Sequence, residues 1–186
     1  MRRLHAWLLL LILLLPSSCG APSATVGGNP GSQRANPPDQ TPATPQRTTL
    51  RLTYPSLSQL PAGAEFEAKL EGEFAVPVFQ GSARLIFNER FLAPLSAARG
   101  EMVPAGAVFF SKVNLPGIVP LAFTMLPGDS PLGTGNGDLA RVRFRVLAPM
   151  PAGERIRLLN DAAFLQLRDE TGRRLPFDLA TEEAAR

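Results

Sequence analysis

Of its 186 residues the chain spends one each on cysteine, histidine, tryptophan and tyrosine, and where those four stand decides most of what the protein cannot do. His5 and Trp7 lie within the first eighteen residues, Cys19 follows directly, and only Tyr54 comes later. The same eighteen residues carry Arg2 and Arg3, then a run from Leu8 to Leu15 made only of leucine and isoleucine, then Pro16-Ser17-Ser18. A basic start, a short apolar core and small residues before the cut are the layout of a secretory signal. The core is well short of the roughly 20 apolar residues that span a bilayer. Residues 1–18 are therefore expected to be removed as a signal peptide, and the only histidine and the only tryptophan go with them.

Those losses exclude chemistry. A chain without histidine has no Ser–His–Asp arrangement and no Cys–His pair. With its single cysteine at the new N-terminus it has no internal thiolate and no structural zinc site. Hydrolases that use paired carboxylates hold the sugar in clefts lined by Trp and Tyr, and only Tyr54 is left for that. No catalytic residue, metal ligand or cofactor is assigned, and the expectation is a protein that binds rather than an enzyme. Loss of Arg2 and Arg3 lowers the formal charge from +3 to +1 (3 − 2 = 1). A nearly neutral exported chain gives no reason to expect nucleic acid as partner.

Small residues ahead of a lone cysteine, after a leucine-rich core, resemble the lipobox of bacterial lipoproteins. The resemblance implies that Cys19 is diacylated and becomes the mature N-terminus, so the protein is exported and held at the cell envelope, on the outer membrane or the cell surface, by a lipid anchor. The alternative is an ordinary signal cut after Ala21. Residues 19–47 are rich in Pro, Gly, Ser, Thr and Gln, with Val26 the one large aliphatic residue. They bury too little to fold and read as a disordered tether.

Residues 48–180 have the length of one domain, followed by a flexible tail at 181–186. The pattern is β throughout, with strands expected at 50–54, 66–70, 75–79, 83–87, 108–113, 118–126, 139–146, 156–158 and 164–167. Turn residues such as Pro61-Ala62-Gly63, Pro116-Gly117 and Pro127-Gly128 separate them, at the spacing of a sandwich or jelly roll. The stretch FLAPLSAA at 91–98 allows a helical turn that Pro94 keeps short.

GTGNGDLARVRFRVL, residues 133–147, holds three glycines in five residues. A phosphate loop needs a helix behind it, and a Walker loop needs Lys and Ser/Thr after its last glycine. Here Val142, Phe144 and Val146 alternate with Arg141, Arg143 and Arg145, the period of a half-buried strand. The glycines are therefore expected to form a turn, with Asn136-Gly137 at its tip and Asp138 leading into the strand.

Taken in order, PAGAEFEAKLEG, GSARLIFNERFLAPLSAARGEMV, the segment around Phe109 and Phe110, GTGNGDLARVRFRVL and DETGRRLPF together resemble the cohesin domain. The matching positions are the turn at Pro61 to Gly63, the strand ending at Phe87 with Leu92 after it, and Gly135 to Gly137 followed by Leu139, Ala140, Val142 and Phe144. The resemblance implies an all-β, antiparallel β-sandwich, a nine-stranded jelly roll, and a non-catalytic binding role. Cohesins grip dockerins, calcium-loaded helical modules, on one sheet face. The polar positions used on the strand entering Phe87 fall at Gln80 and Ser82, and with Arg84, Phe109 and Phe110 these are the candidate partner-binding residues.

Successive strand residues point to opposite faces, so Phe109 and Phe110 cannot share one core. An exposed Phe beside Val108 or Leu115 suits a protein-binding patch, and a Phe covered by a loop is the alternative. Arg141, Arg143 and Arg145 share one strand face, and Arg155 and Arg157 share another. Either row could hold an acidic partner or an anionic polysaccharide. The plainer reading is a solvated face paired with glutamates such as Glu65, Glu67, Glu71 and Glu73. Asp129, Asn136 and Asp138 lack the alternating acidic spacing of a calcium loop and read as turn residues. Three functions stay open: binding a dockerin-like or other envelope protein, binding a cell-wall or extracellular polysaccharide, and service as an accessory lipoprotein of a secretion or pilus system. The shortage of Trp and Tyr counts against flat polysaccharides.

Overall fold

The computed structural model describes residues 47–180 and the backbone of 183–185. The expected signal at 1–18, Cys19 and all of the expected tether but Arg47 lie outside the described residues. Eleven strand segments follow in order: β1 (Thr49–Pro55), β2 (Glu65–Phe74), β3 (Gln80–Ile86), β4 (Leu92–Arg99), β5 (Val108–Ser111), β6 (Ile118–Thr124), β7 (Gly135–Val146), β8 (Arg157–Leu158), β9 (Gln166–Arg168), β10 (Asp178–Leu179) and β11 (Glu183–Ala185). The first sheet has the order β10-β1-β2-β7-β4, with β11 also on β1, and the second has the order β5-β6-β3-β8, with β9 also on β3.

Four of the eleven segments are fragments of two interrupted strands. β8 pairs with Leu85 and Ile86 while β9 pairs with Gln80 to Ser82, both opposite the edge of β3 that β6 occupies. β10 and β11 likewise run one after the other along β1. Counted so, the domain is a nine-stranded sandwich with the jelly-roll architecture. The closing strand is parallel to β1 and every other pairing is antiparallel. Its last piece, 183–185, falls within the expected tail and is paired backbone instead.

Two strands differ from expectation. Residues 75–79 form no named strand; Val78, buried in the core, bridges Leu132, and Phe79 bonds through its backbone to Arg168 and Met125. FLAPLSAA is not helical: Leu92–Arg99 is β4, the edge of the first sheet, paired with β7. An edge strand tolerates Pro94, whose missing N–H costs no ladder bond on the open side. The register shifts between Pro94 and Ser96, a bulge at Leu95.

Alternation builds the core. β2 buries Phe66, Ala68, Leu70 and Phe74, β7 buries Val142, Phe144 and Val146, and β3 buries Ala83 and Leu85. Phe144 sits at the centre, stacked on Phe66 at 5.6 Å and edge-on to Phe87 at 5.4 Å. These geometries add to the area the rings bury. Tyr54 is buried, and its hydroxyl donates to the Ile156 carbonyl at 3.0 Å, tying β1 of one sheet to the segment entering β8 of the other.

Candidate functional site

Residues opposite one another across neighbouring strands project to the same face. That rule assembles the outer face of the second sheet from its register. One row runs Val108, Thr124, Gln80, Arg168. The next runs Phe110, Ala122, Ser82, Gln166. Pro120 and Arg84 are opposite in the third, with Lys112 donating its backbone N–H to Pro120. Ile118, Ile86 and Arg157 make the fourth. The centre is small or apolar, and the charges stand toward the sides.

Four of the five candidate residues meet on this face. Gln80 is exposed at the start of β3. The Ser82 hydroxyl donates to the Phe164 carbonyl at 3.0 Å. The Arg84 guanidinium lies 3.4 Å from the centroid of the Phe164 ring, in the gap between β8 and β9, a cation–π contact that fixes its position. Phe110 is 55% exposed and Val108 is 49% exposed. Phe109 departs from the group: strand alternation turns it inward, where it packs partly buried on the core. Missing from the sequence reading were Lys112, Pro120, Ala122 and Arg168. Nothing in the chain order says that β3, β5 and β6 become neighbours, so of the cations around the face only Arg84 and Arg157 stand out in the sequence.

The outer face of the first sheet has a different character. Glu65 lies opposite Arg145 and Glu67 opposite Arg143. The Glu65 carboxylate accepts from Arg145 Nε at 3.2 Å and from its NH2 at 2.6 Å, and pairs with Arg143 as well. The hydrogen bonds from Arg145 hold this carboxyl below the usual glutamate range, assisted by the charge of Arg143 and against partial desolvation. Arg141 pairs with Glu101 and, at 2.7 Å, with Asp138; Lys69 is 3.6 Å from Asp138, and Arg51 is 3.4 Å from Glu71. The basic stripe of β7 is thus a solvated face answered by the glutamates of β2.

The glycine-rich stretch is not a tight turn. Gly135, Asn136 and Gly137 open β7 and lie opposite Phe74, Glu73 and Gly72. The positive φ is at Gly135 (124°), and Asn136-Gly137 is extended ladder. A bulge follows, since Leu70 faces Ala140 while Glu71 faces Asp138. The Asp138 carboxylate is taken by Arg141 and Lys69, and that of Asp129 accepts the Leu126 N–H at 2.9 Å within its own turn.

With this geometry in place, the likeness to solved structures is specific. The chain matches the cohesin CaCohA2 of Clostridium acetobutylicum, solved in complex with CaDoc0917, with a TM-score of 0.62 and 16% identity over 74% of this chain and 97% of that one. It matches the sixth cohesin of scaffoldin B from Acetivibrio cellulolyticus, solved with a dockerin, at TM-score 0.62 and 11% identity over 75% of this chain and 98% of that one. A non-cellulosomal cohesin of the archaeon Archaeoglobus fulgidus matches at TM-score 0.58 and 16% identity over 76% and 93%. No protein-family model and no curated protein sequence matches the chain. The domain has the cohesin fold.

Proposed function

We propose that the protein is a non-catalytic binding module of the cell envelope, anchored through a lipid on Cys19, that docks another protein on the outer face of the β5-β6-β3-β8 sheet. The carrying observation is the exposure of Phe110 and Val108 beside Ala122, Ser82 and Pro120, a flat area of small and apolar groups on which a large side chain stands open to water. Solved neighbours of the same fold were captured with dockerins, which supports a protein as the occupant. Among the described residues Phe110 is the one aromatic ring more than half exposed, Tyr54 being buried under the other sheet, too few stacking platforms for a flat polysaccharide.

The test immobilises the chain from Gly20 onward and passes secreted and envelope proteins of the source organism over it, with and without calcium. A specific protein retained by the native chain and lost with Phe110→Asp supports the reading, and its loss on chelation identifies a dockerin-like partner. Retention indifferent to Phe110→Asp places binding elsewhere. No retained protein, together with binding on a glycan array, gives the carbohydrate reading instead.

A further inference from the structure

The two outer faces treat charge in opposite ways. On the outward positions of β1, β2 and β7, every cation has a carboxylate within ion-pair distance: Arg51, Lys69, Arg141, Arg143 and Arg145. On the outward positions of β3, β5, β6, β8 and β9 there is no Asp or Glu at all. Arg84, Arg157 and Arg168 stand there, with Lys112 at the end of β5, and among the described residues none of the four is in an ion pair.

Two of these cations are nevertheless held in place. Arg84 rests on the Phe164 ring. Arg168 donates to Gln166 Oε1 at 2.9 Å and to the Gly172 carbonyl at 2.8 Å. Neutral partners position both guanidiniums without cancelling their charge, so an incoming carboxylate meets preordered donors. Lys112 and Arg157 are exposed on the two sides of the apolar centre, one beyond β5 and the other on β8. Glu89 and Glu154 line the recess beside Arg157 together with Arg155, while the outward strand positions themselves carry cations only, so the face is biased toward positive potential.

We infer that the partner of this face is an acidic protein surface, with carboxylates placed to meet Arg84, Lys112, Arg157 and Arg168 around an apolar residue seated against Phe110. The inference rests on the reading that this face binds a protein, and adds the chemistry of what it binds. A second copy of the chain does not fit. Face to face, the cations would oppose each other, and on the outward positions of β1, β2 and β7 every carboxylate but Glu73 is already in an ion pair, which leaves a second copy one carboxylate for four cations.

The experiment titrates the chain from Gly20 onward with a short synthetic peptide carrying a leucine flanked by Asp and Glu, with the same peptide in Asn and Gln, and with polygalacturonate as a carbohydrate polyanion. The acidic peptide is expected to bind at least about tenfold tighter than its amide twin at low salt, and to weaken as sodium chloride rises. Arg84→Glu with Arg157→Glu should remove that preference, while Arg143→Glu on the other sheet should leave it. Lys112→Glu and Arg157→Glu alter exposed side chains, so they carry the test even if Arg84→Glu fails to fold. Equal binding of the two peptides, binding of neither, indifference to the charge reversals, or binding of polygalacturonate alone would each overturn the inference. If the protein retained in the capture experiment depends on Phe110 but not on these charges, the docking face stands and only its acidic preference is wrong.

Discussion

At Gly100, between β4 and β5, an ideal Cβ would stand 2.1 Å from the backbone oxygen of Asp138 and 2.7 Å from the Leu139 nitrogen. The loop lies that close because the Gly100 N–H donates to the Leu139 carbonyl at 2.9 Å and the Met102 N–H to the Asp138 carbonyl at 3.0 Å. Backbone cannot swing aside as a flexible side chain can, so Gly100→Ala must push the loop off β7 or strain the bulge. The expected loss is about 1–3 kcal/mol, the usual cost of overpacking, read as a lower urea midpoint with unchanged slope. An unchanged midpoint would mean that the loop yields freely. The sequence marks Gly100 only as a turn residue, since close approach to another strand is set by tertiary packing. Tyr54 shows the same limit: a lone tyrosine looked available for sugar stacking, and its hydroxyl instead joins the two sheets.

Among the elements, β2 and β7 were the most legible. Their alternation names the buried set outright, and the arginines of one and the glutamates of the other predict an antiparallel neighbour of opposite charge. β4 was illegible because Leu92–Arg99 has few β-branched or aromatic residues and contains a proline, and its edge position, which excuses both, is a property of the sheet order. The start of β7 misled because glycines with Asn136 are strong turn formers, yet here they pair with Phe74, Glu73 and Gly72 as extended ladder, with the positive φ confined to Gly135. The β2–β7 pairing also carries a pH signature. The Glu65 carboxyl is depressed in the folded chain, so its contribution to stability is present above the unfolded pKa, about 4.3, and disappears as pH falls through the folded value. Glu65→Gln should therefore lower Tm slightly at pH 7, with the gap to the native chain closing in acid. A gap that stays constant from neutral to acid pH would show that the arginines do not act through this charge.

For the molecule as a whole, the chain enters the domain through β1 of the first sheet, whose outer face is closed by its own ion pairs, while the second sheet keeps an open apolar and basic face. A module of this kind gains from being held at a surface, because its binding events are then confined to the envelope. One acyl chain gives only marginal, reversible membrane attachment, whereas two give stable anchoring, at about 0.8 kcal/mol per buried methylene. Diacylation of Cys19 is the modification that would supply two. The expected outcome is that protein purified from its native membrane begins at Cys19 and exceeds the mass of that polypeptide by a diacylglyceryl group. Cys19→Ser should leave an uncleaved precursor or a chain recovered outside the membrane fraction. Intact mass showing a start at Pro22, without lipid, would establish the ordinary signal cut after Ala21, and the domain would then act as a secreted module whose place at the envelope depends on its acidic partner alone.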